Sequence, residues 1–218
     1  MKPLKTESQD AETLRELGSA SVQIVHDLKN QLNGLKLYAT FLRKRMEKGQ
    51  RPADELETIT KLITGLERAA ADMTLLVRYG RPLELRRQPG TDLARLLAEA
   101  ADGARVEAAA GSYEGDFDPT LLAEALKNIT AGGRGEGGGG GSGGAAQIGL
   151  RQEQAAGGRV AVVEWRGVFG PGAPEEPFRG LAGGAGLRLA LAAKIIRAHG
   201  GDVSHEGGVA RARLPLAG

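Results

Sequence analysis

Apolar residues recur every three or four positions through the first third of the chain. One series runs Leu14, Gly18, Ser21, Val25, Leu28, Leu32, Leu35, Ala39, Leu42, Met46, and a second runs Leu56, Ile59, Ile63, Leu66, Ala70, Met73, Val77. This alternation of threes and fours is the heptad spacing of paired helices. Gly49 and Pro52, between the two series, suit the end of one helix and the start of the next. The pattern predicts a long antiparallel helical hairpin over residues 1–80.

A pair of long helices by itself leaves much of its apolar stripe in contact with water. Association of two hairpins into a four-helix bundle removes that exposure. We therefore expect a homodimer.

The pattern changes after residue 80. It predicts a strand at 82–87, helices at 91–101 and 119–130, strands at 146–151 and 159–165, a helix at 185–198 and a closing hairpin at 201–216. This order indicates an α+β domain over residues 81–218, with helices layered on a sheet. Residues 132–144 contain ten glycines in thirteen positions. Such a segment has no side chains to pack and much backbone entropy to lose, so we expect a flexible Gly-rich loop.

Composition and charge narrow the classes of function. The net charge of +2, from 29 basic and 27 acidic residues, does not predict nucleic-acid binding, and the basic stretch 43–51 is interpreted as a solvated helix end. Without cysteine, and with three scattered histidines, no metal site is expected. No apolar run approaches the ~20 residues that span a bilayer. We expect a cytoplasmic protein with no membrane or nucleic-acid partner.

His26 lies off the predicted apolar seam. The residues at i+3, i+4 and i+7 from it are Lys29, Asn30 and Asn33, all polar. Asp27 can accept a hydrogen bond from one imidazole nitrogen, which leaves the other as a nucleophile, and Asn30 can orient a water or a phosphoryl oxygen. This set suits phosphoryl transfer, although an ordinary exposed histidine remains the alternative. Leu37 and Phe41 continue the same face, where they either widen the bundle core or anchor a docking partner.

The segment "HDLKN" at 26–30 resembles the dimerisation and phosphoacceptor hairpin of bacterial sensor histidine kinases. The resemblance continues along the chain in "GRPLEL" (80–85), "GDFDPTLLAEALKNI" (115–129), "FGPGAP" (169–174), "EEPF" (175–178) and "GGAGLRLALAAKIIRAHGGDV" (183–203). These segments occur in the order expected of the kinase ATP-binding domain. The resemblance implies a helical hairpin followed by an α/β-sandwich domain of the histidine kinase ATPase type.

The resemblance also implies roles for individual residues. His26 would be the phosphoacceptor, Asp27 the base that assists attack, and Asn30 the residue that positions water. Five further positions match the family's nucleotide site: Asn128, Gly170, Gly172, Gly184 and Gly186.

Other positions depart from the family. Gly132 stands where the family has a magnesium-binding asparagine, and Val168 stands where an acid reads the adenine amino group. Arg188 replaces the last glycine of its motif; it either contacts a phosphate or is a solvated helix residue. These departures predict a degenerate nucleotide site, with neither ATP nor Mg²⁺ as a cofactor. Gln31 replaces a frequent proline, so no kink is predicted there.

Three functions follow from this reading. The leading hypothesis is two-component signal transduction, in which His26 exchanges a phosphoryl group with the aspartate of a response-regulator receiver domain. One alternative is an active ATP-dependent histidine kinase, and the other is a non-catalytic dimerising regulator of a kinase. The expected partners are receiver domains, a second copy of the chain and an upstream kinase. His199, in the last turn of a predicted helix, is interpreted as structural, because a histidine there favours the helix dipole.

Overall fold

The computed structural model describes residues 25, 28–30, 32–44, 46–47, 53–101, 103–132, 147–155, 157–169, 176–179 and 183–217. The chain divides into two compact units, Met1–Pro82 and Leu83–Gly218. His26, Asp27, Gly49, Pro52, Gly170, Gly172 and the Gly-rich segment after residue 132 lie outside the described residues.

The described part of the first unit is helical up to Gly80. Helix α1 includes residue 25 and residues 28–30, 32–44 and 46–47, and helix α2 spans Ala53–Gly80. Lys36 of α1 forms an ion pair with Glu67 of α2, with 2.8 Å between Nζ and Oε1. Ala39 and Ile63, one from each predicted heptad series, are buried. Among the described helices, none is both long enough and apolar enough to cross a membrane.

The second unit contains a five-stranded sheet and a two-stranded sheet. Its elements are β1 (Gln88–Asp92), α3 (Leu93–Ala100), β2 (Arg105–Ala108), β3 (Glu114–Phe117), α4 (Pro119–Gly132), β4 (Gln147–Ala155), β5 (Gly158–Arg166), α5 (Gly183–Ala198), β6 (Asp202–Glu206) and β7 (Val209–Pro215). The large sheet has the order β2-β4-β5-β7-β6, with β2 parallel to β4 and the other pairs antiparallel, and β1 pairs with β3. The predicted α+β class is confirmed, and the large sheet is mixed.

The core lies between one face of the large sheet and the helices. In β5, Ala161, Val162, Val163 and Trp165 are fully buried and Glu164 is nearly so, so the middle of this strand is covered on both faces. Ala161, Val163 and Trp165 share the face toward α4, because alternate residues of a strand point to the same side. The indole Nε1 of Trp165 donates to Oγ1 of Thr130 on α4 at 3.0 Å. That hydroxyl in turn donates to the carbonyl of Leu126 at 2.9 Å. This pair of hydrogen bonds fixes α4 against the middle of the sheet.

An acid on the opposite face of β5 gathers three arginines. Glu164 is almost buried, and its carboxylate accepts hydrogen bonds from Arg151 at 3.2 Å, Arg166 at 2.8 Å and Arg211 at 2.9 Å. Burial by itself raises the pKa of Glu164, but the hydrogen bonds from Arg211 and Arg151 outweigh that effect, and the pKa lies below its ordinary value. These bonds join β4, β5 and β7 side by side.

Most predicted elements after residue 118 are confirmed, but the first part of the second unit differs from the sequence prediction. Residues 82–87 are not a strand; the ladder begins at Gln88. The backbone N–H of Arg86 donates to Oδ2 of Asp118 at 2.8 Å, and the Arg87 guanidinium donates to the carbonyl of Ala198 at 2.9 Å. Pro82 has no N–H to offer a strand. For Arg86, the side chain of Asp118 therefore supplies the acceptor that a neighbouring strand would supply in a sheet.

Helix α3 begins two residues later than predicted because Asp92 is its N-cap. The Asp92 carboxylate accepts from the N–H of Ala94 at 2.9 Å, which satisfies a donor that the first helical turn leaves unpaired. Gly132, predicted to open the Gly-rich loop, is instead the last residue of α4. The sequence analysis also missed β2 and β3, which have four residues each.

The predicted closing hairpin is confirmed as β6 and β7. Gly207 and Gly208 form its two-residue turn, with φ of 58° and 76°. Both angles lie in the left-handed region, which glycine adopts without steric cost, and such turns match the twist of the flanking strands.

Candidate functional site

Asn30 is the described member of the predicted phosphoacceptor set. It lies on α1 with its side chain exposed, and Asn33 one turn later is exposed as well. Leu37 and Phe41 continue this stripe, and their side chains are 69% and 64% exposed. Neither side chain is buried within the first unit, so Leu37 and Phe41 do not widen the core between α1 and α2 of one chain. The stripe that starts at Asn30 thus combines amides with a large apolar surface.

A second exposed apolar stripe lies about half a helical turn away on α1. It is formed by Leu28, Leu35 and Leu42, which are seven residues apart and therefore share one face. Leu62 on α2 is exposed too. Ala39, by contrast, is buried, and Lys36 pairs with Glu67 across to α2. Tyr38, 69% exposed, lies between these two stripes, so helix α1 presents a broad apolar surface that α2 does not cover.

The described nucleotide-site positions lie on α4 and α5. Asn128 and Gly132 are one turn apart on α4, and Gly184 and Gly186 are in the first turn of α5; all four are partly buried. Arg188, at the place of the family's last glycine, is partly buried on α5. Gly170 and Gly172 lie outside the described residues, so their part in the site stays a prediction.

Gly132 lies directly against Leu189 of α5. A Cβ atom placed on Gly132 would be 2.5 Å from Cδ2, 2.9 Å from Cγ and 3.3 Å from Cδ1 of Leu189. These distances are shorter than the ~3.5 to 4.0 Å at which carbon atoms attract one another. Leu189 is 4% exposed. The family's magnesium ligand would stand at position 132, yet glycine offers no side-chain oxygen there and Leu189 occupies the adjoining space.

Val168, at the place of the adenine-reading acid, is buried just after β5. The next residue, Phe169, contacts the rings of Phe178 and His205, with centroids 6.1 and 4.8 Å apart. The sequence analysis did not identify this aromatic cluster. A valine side chain cannot accept the hydrogen bond that an adenine amino group donates. Positions 132 and 168 thus carry no side-chain oxygen or nitrogen atom.

His199 belongs to a buried hydrogen-bonded cluster with Asp118. Its Nδ1 is 2.8 Å from the carbonyl of Ile195, and its Nε2 is 3.0 Å from the backbone N–H of Asp118. A carbonyl can only accept and an N–H can only donate, so Nδ1 carries the proton and the imidazole is neutral. Burial lowers the pKa of His199 below its ordinary value. His199 is therefore held at the end of α5 by the hydrogen bonds of a neutral imidazole, and not by a charge that favours the helix end.

Asp118 caps the start of α4 and was missed by the sequence analysis. Its Oδ1 accepts from the N–H groups of Thr120 and Leu121, both at 3.0 Å, and its Oδ2 accepts from Arg86. Burial raises the pKa of this carboxyl, but the backbone hydrogen bonds outweigh burial and hold the pKa below its ordinary value. An acid just before a helix-forming run is a capping signal that was available in the sequence.

Two solved structures establish the fold. The histidine kinase AdeS of Acinetobacter baumannii matches with a TM-score of 0.52 and 16% sequence identity, over 88% of this chain and 98% of that one. The histidine kinase ThkA, solved in complex with the response regulator protein TrrA, matches with a TM-score of 0.57 and 16% identity, over 100% of this chain and 68% of that one. No protein-family model and no curated protein matches the sequence. The chain has the fold of a sensor histidine kinase core, as the sequence resemblance implied.

Proposed function

We propose that the protein is a cytoplasmic, dimeric phosphotransfer protein of two-component signalling, in which His26 exchanges a phosphoryl group with receiver-domain aspartates. The observation that carries the proposal is the exposed stripe of α1 that begins at Asn30, four residues after His26, in a chain with the histidine kinase fold. An exposed stripe leaves room for a second protein to approach, as transfer between two proteins requires.

The proposed step is a nucleophilic displacement at phosphorus. The unprotonated nitrogen of the His26 imidazole attacks, and an N–P bond forms while the P–O bond to the receiver aspartate breaks. The aspartate leaves as a carboxylate with the bonding electron pair. Asp27 takes the proton from the other ring nitrogen, so that the product is a neutral phosphoimidazole. The reverse step loads a second receiver. Alternatively, a water positioned by Asn30 attacks the phosphorus of the receiver's aspartyl phosphate: its oxygen bonds to phosphorus as the P–O bond to the aspartate breaks, a proton of the water passes to solvent, and inorganic phosphate and the aspartate carboxylate are released.

The exposed surfaces of α1 support separate roles for its two apolar stripes. Leu28, Leu35 and Leu42 continue the heptad series, and in our proposal they pack against a second copy to form the four-helix bundle. Leu37 and Phe41 share the stripe of Asn30, and in our proposal they contact the receiver domain. The complex of ThkA with the response regulator TrrA supports a receiver domain as the partner.

In this proposal the second unit does not supply ATP chemistry. Gly132 and Val168 lack the oxygen atoms that the family uses to bind magnesium and adenine. The loss of the hydrogen bond to the adenine amino group costs about 1 to 3 kcal/mol, each 1.4 kcal/mol is a tenfold change in affinity, and the lost magnesium ligand weakens binding further. The retained domain would serve for docking and for stability of the dimer.

Two labelling experiments on the full chain separate the proposal from its alternatives. The protein and a His26→Ala variant are incubated with a receiver domain that carries labelled aspartyl phosphate, and in parallel with labelled ATP and Mg²⁺. We expect acid-labile label on the wild-type chain from the receiver but not from ATP, and none on His26→Ala. Labelling of His26 by ATP would identify an active kinase. A lack of label from both donors, across a panel of receivers, would support a non-catalytic regulator.

Asn30→Ala separates relay from dephosphorylation. If Asn30 positions water, this variant keeps transfer to a receiver and loses the release of inorganic phosphate. Asn33→Ala, one turn further along the same exposed stripe, is the matched control and should keep both. Equal phosphate release by the two variants would remove Asn30 from the proposed mechanism.

A further inference from the structure

We propose that residues 83–87 form a strap that is held at the start of α4 and the end of α5, and that protonation of His199 detaches it. The strap lies at the beginning of the second unit, directly after the boundary with the first. The proposal goes beyond phosphoryl transfer at His26 and does not depend on it.

Two hydrogen bonds attach the strap to the rest of the second unit. The backbone N–H of Arg86 donates to Oδ2 of Asp118 at 2.8 Å, and the Arg87 guanidinium donates to the carbonyl of Ala198 at 2.9 Å. Two residues of the strap are partly buried and the other three are exposed, and none of the described strands pairs with it. A segment with so few bonds can open locally while the core stays folded.

Both bonds end beside His199. The backbone N–H of Asp118 donates to Nε2 of His199 at 3.0 Å, and Ala198 is the preceding residue of the chain. Because Nδ1 already donates to the carbonyl of Ile195, a further proton binds at Nε2, which then cannot accept from Asp118. The Asp118 carboxylate attracts the resulting imidazolium, and one of its oxygens is the acceptor for Arg86. Protonated His199 and Arg86 therefore compete for Asp118.

The charges around His199 act in the same direction. Burial lowers the pKa of His199 most, the positive charge of Arg87 lowers it further, and the charges of Asp118 and Asp116 raise it. Both acids stay with the second unit when the strap leaves, whereas Arg87 leaves with the strap. Detachment thus removes a repulsive charge and part of the burial, so that His199 binds a proton more readily. By linkage, the proton favours detachment to the same extent.

Detachment changes the connection between the two units. The chain passes from the first unit to the second at Pro82 and Leu83. Five freed residues span up to about 17 Å when extended. The second unit is then joined to the first by a flexible segment, where the attached strap is a fixed one.

Hydrogen exchange of single amides in the intact chain tests this device. The exchange rate of the Arg86 N–H, divided by that of an unstructured amide at the same pH, is measured by NMR. If His199 has its ordinary pKa of about 6.5 once the strap is open, the open fraction should rise about three- to tenfold from about pH 7.5 to about pH 5.5. The N–H of Ala94, which donates to the carboxylate of Asp92, is the reference and should change less than about twofold.

The variant His199→Gln keeps a neutral donor and acceptor at this position and should remove the pH dependence at Arg86. An Arg86 rate that does not respond to pH in the wild type, or that responds equally in His199→Gln, would overturn the proposal. An equal rise at Ala94 would do so too, because it would show loosening of the whole second unit.

A reciprocal measurement keeps His199 in place. Arg87→Met removes the charge and the bond to Ala198, so we expect the His199 imidazole to titrate at a higher pH than in the wild type, and the Arg86 N–H to exchange faster at neutral pH. Arg95→Met is the matched control, because Arg95 is exposed and pairs with Glu99 on its own helix, and it should change neither quantity. Identical titration of His199 in the wild type and in Arg87→Met would contradict the coupling.

Discussion

Replacement of Thr130 by valine tests the contact that holds α4 on the sheet. Valine keeps the shape of threonine but cannot accept the hydrogen bond from Trp165 Nε1, which is 3.0 Å from the Thr130 hydroxyl. Trp165 is fully buried, so its N–H would be left without a partner and without water. An unsatisfied buried donor costs about 1 to 3 kcal/mol, and the added methyl group recovers about 0.8 kcal/mol by apolar burial. We expect a net loss of about 0.2 to 2 kcal/mol, centred near about 1 kcal/mol.

Tryptophan fluorescence can measure this loss of stability. Trp165 is the single tryptophan, so its fluorescence during urea unfolding reports on the second unit alone. With a dependence on urea of about 2 kcal/mol per M, a loss of about 1 kcal/mol moves the unfolding midpoint down by about 0.5 M. Thr130→Ser is the matched control, because it keeps the hydroxyl and removes the methyl group. If Thr130→Val is as stable as Thr130→Ser, the hydrogen bond does not hold α4 as described.

Three further predictions concern polar groups of the second unit. Because the pKa of His199 is lowered in the folded state, the unfolded chain binds more protons near pH 6. The free energy of unfolding should therefore fall as the pH drops below about 6.5. In urea unfolding between pH 7 and 5, the His199→Leu variant should lack this dependence. Glu164→Gln should cost about 1 to 2 kcal/mol of unfolding free energy, since three arginines share that nearly buried carboxylate, whereas Glu107→Gln, in an exposed ion pair, should cost less than about 0.5 kcal/mol. Asp118→Ala removes the acceptor of three backbone N–H groups and should cost about 2 to 3 kcal/mol, against about 1 kcal/mol for Asp92→Ala, which removes one; equal costs in thermal melts would contradict this assignment.

The parts of the fold that the sequence predicted are those with strong local signals. Helices α4 and α5 and strands β4 to β7 have long apolar patterns with glycine turns between them, and their predicted and observed ranges agree to within a few residues. Strands β2 and β3 have four residues each, too short for a periodic pattern. The extended segment at 82–87 was mistaken for a strand because its partner is a side chain, Asp118, more than thirty residues away.

The candidate site shows the same division between local and long-range information. Comparison of the sequence with the family's motifs was enough to find that the expected asparagine and acid are absent at positions 132 and 168, because it needs only the order of residues. It did not predict Leu189, because the approach of Leu189 to Gly132 depends on how α4 and α5 pack across 57 positions of sequence. His199 was correctly interpreted as structural, but the reason given was wrong. Its partner is the backbone of Asp118, and the neutral imidazole gains nothing from the helix dipole.

The hydrogen bonds of Arg86 and Arg87 determine where the second unit can be cut from the rest of the chain. A fragment that begins at Leu83 keeps the N–H that Asp118 accepts and the guanidinium that binds the Ala198 carbonyl at the end of α5. A fragment that begins at Gln88, the first residue in a strand, loses both and leaves the cap of α4 and the last turn of α5 incomplete. The five residues before the first strand are therefore an integral part of this domain, and its recombinant expression should start no later than Leu83.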